Sequence, residues 1–170
     1  MSTRQLSLIS FPLLFMVMAA IYYSSSMTYE DQSVVGLLDA WIPPGSLPNF
    51  LQNVHFFYAG YEVSVSALGD AAFCEFFLRK ATHFLSFGTI GALAFLSLIH
   101  HLSSLKKAAR LAVLWTFLYA CLDEFRQSLN PGRSGGFQDI LLDALGGLCL
   151  TLLTYCSVRD FMSRQLIKKE

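Results

Sequence analysis

Side chains able to carry charge, exchange protons or donate hydrogen bonds crowd three short windows of this chain: Arg79, Lys80 and His83; Asp123, Glu124, Arg126 and Gln127; and Arg133, Asp139 and Asp143. Carboxylates and an imidazole are the groups that move protons near neutral pH, while Arg and Lys are the groups that hold phosphate. On helices the spacing aligns them. Arg79 and His83 are four apart and share a face with Lys80 close by, Asp123 and Gln127 stack, and so do Asp139 and Asp143. His83, Asp123 and Glu124 are therefore the candidates for acid and base work, and Arg79, Lys80, Gln127, Arg133, Asp139 and Asp143 the candidates for holding a substrate. No Ser or Cys stands in a recognisable spacing from a base that would activate it. His83 with Asp123 and Glu124 has the types of a metal set, yet the neighbouring bases oppose a cation, so no metal and no other cofactor is expected. The turn before Asp139 offers an alternative anion site, since Gly135 and Gly136 free backbone N–H groups and Arg133 adds a fork; Asp139 competes for the same helix end.

The elements that must position these groups are membrane helices. Over half of the residues are apolar and 14% are charged, a balance that belongs to chains whose exterior is covered by lipid. Basic and acidic residues are equal in number, which removes the net positive field that nucleic acid requires. Cys74, Cys121, Cys149 and Cys156 show no C-x-x-C spacing, and apolar surroundings make three of them small hydrophobes.

The expected fold is all-α: one 1–170 membrane domain with four transmembrane helices, at about 6–24, 80–100, 109–129 and 138–158, and an interfacial, partly helical segment over 25–79. A cleaved signal peptide competes for the first apolar run, because Arg4 precedes it and Ser24-Ser25-Ser26 follows; the run is long for that role. The third span is the informative one. Its apolar stretch, Leu111 to Leu122, is too short to cross, so Asp123, Glu124, Arg126 and Gln127 enter the membrane with it. A charge in lipid costs at least about 2.5 kcal/mol, so these groups must turn inward and pair. Lys106, Lys107 and Arg110, with Arg159, Arg164, Lys168 and Lys169, place both termini in the cytoplasm and the polar cluster at the outer face.

At these residues the chain resembles the VanZ-like membrane proteins. The resemblance rests on Asp123-Glu124-Phe125-Arg126-Gln127 running to Asn130-Pro131-Gly132-Arg133, on Asp139 with Asp143-Ala144-Leu145-Gly146, and on Arg79-Lys80-Ala81-Thr82-His83-Phe84. Ile21-Tyr22-Tyr23-Ser24-Ser25, Tyr58-Ala59-Gly60 and Glu62-Val63-Ser64-Val65 extend it to nearly the whole chain. Two positions depart from the pattern: Arg126 stands where many members carry histidine, and Phe87 where tyrosine is common. The resemblance implies a multi-pass protein of the bacterial cytoplasmic membrane, linked to resistance to the lipid-tailed glycopeptide teicoplanin.

Three functions are expected from the residues. The first is a site at the outer face that binds or moves an anionic lipid or lipid-linked envelope precursor through Arg79, Lys80 and Arg133; full internal pairing of every base would defeat it. The second is an intramembrane enzyme acting on a lipid headgroup, with His83 or Glu124 as base. In the third, the charges only fix helix register, or the protein serves a structural or partner-binding role.

Overall fold

The structure is a computed structural model that describes residues 2–130 and 136–167; Arg133, Gly135 and the C-terminal Lys168 and Lys169 lie outside the described residues. Four long helices account for most of the chain: α1 (Thr3–Ser25), α6 (Asp70–Leu98), α7 (Leu105–Ser128) and α8 (Phe137–Ile167). Between α1 and α6 come the short helices α2 (Tyr29–Gln32), α3 (Val35–Trp41), α4 (Asn49–Gln52) and α5 (Val65–Leu68), and strands β1 (His55–Tyr58) and β2 (Tyr61–Ser64).

The segment from Gly69 to Arg79 runs without a break into the apolar part of α6. At 1.5 Å per residue that helix is about 44 Å long, more than the roughly 30 Å of a hydrocarbon core, so its first turns project beyond the apolar layer. α6 is the centre of the bundle, with α1 and α7 packed beside it and α8 against both α6 and α7. Phe87, Ile90, Ala94 and Phe95 form its fully covered stripe. The facing stripe of α7 is built from small residues four apart, Ala108, Ala112, Thr116 and Ala120, and the same stripe continues into Asp123 and Glu124. The charges thus arrive on the face that packs, not on the lipid face.

α6 and α8 meet through glycines. A β-carbon built on Gly146 would lie 2.1 Å from the Phe84 carbonyl oxygen, and one on Gly91 would lie 2.6 Å from the carbonyl oxygen of Gly147. Such close approach trades side-chain volume for backbone contact, which is how membrane helices associate where lipid offers no hydrophobic drive. The crossing sits one turn from His83 on α6 and from Asp143 on α8, and so brings those two side chains together.

Among the described residues three helices are long and apolar enough to span a membrane: α1, α6 and the Phe137–Gln165 part of α8. Four were expected. α7 has the length but carries Lys106, Lys107 and Arg110 at one end and Asp123, Glu124 and Arg126 at the other, which leaves an apolar stretch of only about 18 Å between them. Large apolar side chains such as Phe11, Phe15, Leu118 and Leu153 face outward on α1, α7 and α8, the surface of a protein solvated by lipid.

A second departure from expectation is the antiparallel hairpin β1–β2, with Tyr58 opposite Tyr61 and His55 opposite Ser64. Its two-residue turn has positive φ at both Ala59 (50°) and Gly60 (86°), the combination whose twist matches paired strands. Alternate residues turn inward. Phe56 and Tyr58 pack on Phe76 of α6, while Phe57 points out; Phe57, Tyr61 at the hairpin end, Trp41 and Phe50 are all strongly exposed. Exposed aromatic rings at one end of an apolar bundle match the belt that such rings form at a membrane interface.

Candidate functional site

The hairpin end of the bundle gathers the C-terminal ends of α1 and α7 with the N-terminal ends of α6 and α8. At its centre His83 Nδ1 lies 3.3 Å from Asp143 Oδ2 across the glycine crossing, and the ring stacks on buried Phe87. Ligand atoms of His83, Asp123 and Glu124 lie within 4.8 Å of one another. All three acids are enclosed: Asp143 is 0% exposed, Asp123 1% and Glu124 3%.

Each acid is held by a different element. Asp123 Oδ2 accepts from Ser25 Oγ of α1 and from Gln127 Nε2, both at 2.8 Å. Glu124 Oε2 accepts from the backbone N–H of Gly136 at 3.1 Å. That amide, which the sequence offered to an anion at the start of α8, is taken by the chain's own carboxylate. Asp143 has His83 on one oxygen, while its Oδ1 is buried with no partner among the described residues.

The bases pair around the edge of this group, and of them Arg126 also touches it, its Nη1 3.4 Å from Asp123 Oδ1. Lys80 pairs with Asp139 Oδ1 and lies over the Tyr58 ring. Arg79 donates to Glu75 Oε1 at 3.3 Å and to the Tyr29 carbonyl at 3.2 Å. Arg126 reaches back to α1, where it donates to the Tyr22 carbonyl at 2.8 Å and lies 3.6 Å over the Tyr22 ring. A cation at the last carbonyls of α1 complements the negative end of that helix. Of the expected site residues, then, His83, Asp123, Glu124, Gln127 and Asp143 come together; Lys80 and Asp139 form a pair beside them, Arg79 stands further out with Glu75, and Arg133 is outside the described residues.

A cavity of about 630 Å³ opens over this cluster, walled by Tyr58, Tyr61, Phe76, Lys80, His83 and Glu124, with Arg79, Gln127 and Asp139 also on its surface. Tyr58 joins the hairpin to α8 through a 2.6 Å hydrogen bond from its hydroxyl to Asp139 Oδ1. Burial first, then that carboxylate, holds the Tyr58 phenol well above its ordinary pKa, so it stays a donor at any working pH.

Sequence reasoning missed Glu75, which is fully buried. Its carboxylate accepts from Tyr29 Oη (3.2 Å), Ser33 Oγ (3.3 Å), the Val34 N–H (2.8 Å) and Arg79 Nε. Burial and then Glu75 raise the pKa of Tyr29 as well. The signal available was its position four residues before Arg79. This one acid ties α2 and α3 to α6. Glu75→Ala should therefore loosen the segment between α1 and α6 by roughly 1–3 kcal/mol, since several donors lose a charged acceptor. Hydrogen–deuterium exchange would read this as faster exchange confined to residues 27–41, with α8 unchanged.

A family model described as VanZ/LLP1 matches residues 11–159, nearly the whole chain. No curated protein and no solved structure matches the chain.

Proposed function

We propose, because the chain belongs to the VanZ/LLP1 family and is a membrane protein linked through it to resistance, that its cavity binds the headgroup of a membrane lipid or lipid-linked envelope precursor. The observation that carries this reading is the aromatic-walled cavity of about 630 Å³ at the end of an apolar bundle, with polar side chains converging on its floor. Apolar walls with a few fixed polar groups are the usual build of a ligand site. Its opening lies in the zone of exposed rings, where lipid headgroups sit. Lys106, Lys107, Arg110, Arg159 and Arg164 lie at the opposite end of the bundle, which by the charge rule is the cytoplasmic side of a bacterial inner membrane; the cavity then faces outward, towards envelope precursors and glycopeptides alike.

The described bases at the site, Arg79, Lys80 and Arg126, are all internally paired, which weakens the case for a site that grips phosphate by charge alone. Their donors are not exhausted, however. Lys80 has three N–H bonds and Arg79 five, and both side chains remain about a quarter exposed on the cavity surface. Held in place by Asp139 and Glu75, they offer oriented donors to an anionic or hydroxyl-rich headgroup without a net positive field.

A second reading has its own support, in the His83–Asp143 contact. A buried carboxylate on Nδ1 fixes ring and tautomer and leaves Nε2 as the proton-exchanging nitrogen, the arrangement of a general base in acyl and phosphoryl chemistry. One experiment separates the two. The purified protein and its Glu124→Gln variant are incubated with a bacterial lipid extract, and mass spectrometry reads both the lipid bound and any lipid altered. Binding without alteration, reduced by roughly tenfold or more in the variant on loss of a charge-assisted contact, is the expected result. Lipid altered by wild type alone would establish the enzyme instead, and no lipid bound by either would defeat both.

A further inference from the structure

Along the sequence, bases surround His83, Asp123 and Glu124 and oppose a cation there. In the folded chain Lys80 is committed to Asp139 and Arg79 to Glu75, Arg126 divides itself between Tyr22 and Asp123, and Arg133 lies outside the described residues. Three carboxylates, those of Asp123, Glu124 and Asp143, remain enclosed together. Arg126, 3.4 Å from Asp123 Oδ1, is the one full cation that touches them among the described residues. Such a group of charges inside an apolar bundle must acquire protons or a cation. A second observation points the same way, because Asp143 Oδ1 is wholly buried, has no partner, and belongs to the carboxylate that holds His83.

We infer that His83, Asp123 and Glu124 bind a divalent transition cation, with Asp143 orienting the imidazole from behind. One nitrogen and two carboxylates are a ligand set for Mn²⁺ or Zn²⁺, and one too oxygen-poor for Ca²⁺. The ligand atoms, within 4.8 Å of one another, need to draw in by several tenths of an ångström to meet bonds of about 2.1 Å. The supports of a metal site are present: Asp143 on the other side of the histidine ring, Ser25 and Gln127 on Asp123, and the Gly136 amide on Glu124. His83 and Glu124 also line the cavity, so the ion would meet whatever enters it. The inference deepens the cavity reading, and its test is separate from it.

Protein in detergent, stripped with a chelator, is titrated with Mn²⁺ and separately with Zn²⁺. Bound metal is counted by plasma mass spectrometry, thermal unfolding is recorded, and pulsed EPR reads nitrogen coupling on Mn²⁺. The expected result is about one ion per chain, imidazole coupling, and a higher Tm. Affinity should fall by at least roughly tenfold in Glu124→Gln and in His83→Gln and be retained in Asp160→Asn, a substitution at an exposed position. Wild type that takes up no ion, or bound Mn²⁺ without nitrogen coupling, overturns the inference, as does equal affinity in His83→Gln and Glu124→Gln. Because the first two readouts use wild type alone, a variant that fails to fold does not rescue the claim. Lipid retention is measured on the same stripped and reloaded samples. Metal without lipid defeats the cavity reading and leaves this one standing, and lipid without metal does the reverse.

Discussion

Gly146→Ala should be among the most damaging single substitutions in the molecule. The added carbon would stand 2.1 Å from the Phe84 carbonyl oxygen, 2.9 Å from its carbon and 3.1 Å from its α-carbon. All three belong to backbone inside a helix and cannot swing aside, so α6 and α8 must part. Overpacking of this kind costs about 1–3 kcal/mol, and the rigid neighbour puts this case at the upper end. Gly88 makes the comparison, since its nearest neighbours are the ends of the flexible Leu150 side chain at 2.7 and 3.0 Å. At Gly136 nothing comes closer than 3.4 Å. The expected order of Tm loss is Gly146→Ala, then Gly88→Ala, then Gly136→Ala close to wild type, read by thermal unfolding in detergent. If Gly146→Ala unfolds like wild type, the close crossing is wrong, and the His83–Asp143 contact that depends on it fails too.

Asp143→Asn should move stability and function in opposite directions. Asp143 is a carboxyl group with no exposure, one contact to His83 and, among the described residues, one unpartnered oxygen. Replacing a poorly satisfied buried acid with its isosteric amide removes the cost of ionising it there and fits a site with few partners, worth about 1–3 kcal/mol in stability. The same change removes the anion that orients His83, and lipid retention should fall by roughly tenfold, as when a supporting carboxylate is lost. A charge that merely fixes helix register predicts the contrary: lower stability, with no separate loss of function. Thermal unfolding and lipid retention on one preparation of each protein decide between them.

What the sequence made legible follows from how local each signal is. The alignment of Asp123 with Gln127, of Asp139 with Asp143 and of Lys80 with His83 needs only helical spacing. That these groups turn inward needs only the cost of charge in lipid. Gly146 and Gly147, adjacent small residues in an apolar helix, carry the signal of a close helix contact for a similarly local reason. Partner choice was not local. The equal tally of acids and bases left open that Lys80 would take Asp139 or that Arg126 would turn away to α1, because both depend on which helices stand side by side. Glu75 stayed hidden because its donors, Tyr29, Ser33 and Val34, lie more than forty positions away. The hairpin was masked by its own aromatics, which read equally well as interfacial residues, and by Ala59, a residue that rarely adopts positive φ. The span count differed because α7 crosses the bundle with an apolar stretch too short to register on composition.

Arg126 and Phe87, the two departures from the family pattern, now have places. Arg126 holds α1 to α7 through Tyr22, and Phe87 lies beneath the His83 ring and against Tyr119. Neither residue lines the cavity.

The most direct test of the central claim closes the cavity without altering its charges. Ala72 lies on the cavity wall and contributes no polar side chain, so Ala72→Trp occupies the space and leaves His83, Asp123, Glu124 and Asp143 as they are. Protein extracted from bacterial membranes is analysed by native mass spectrometry for lipid that survives detergent exchange. The account predicts a retained lipid on wild type and its loss from Ala72→Trp at unchanged Tm. Equal lipid retention by both proteins would contradict it and move the bound lipid to the outer surface of the helices.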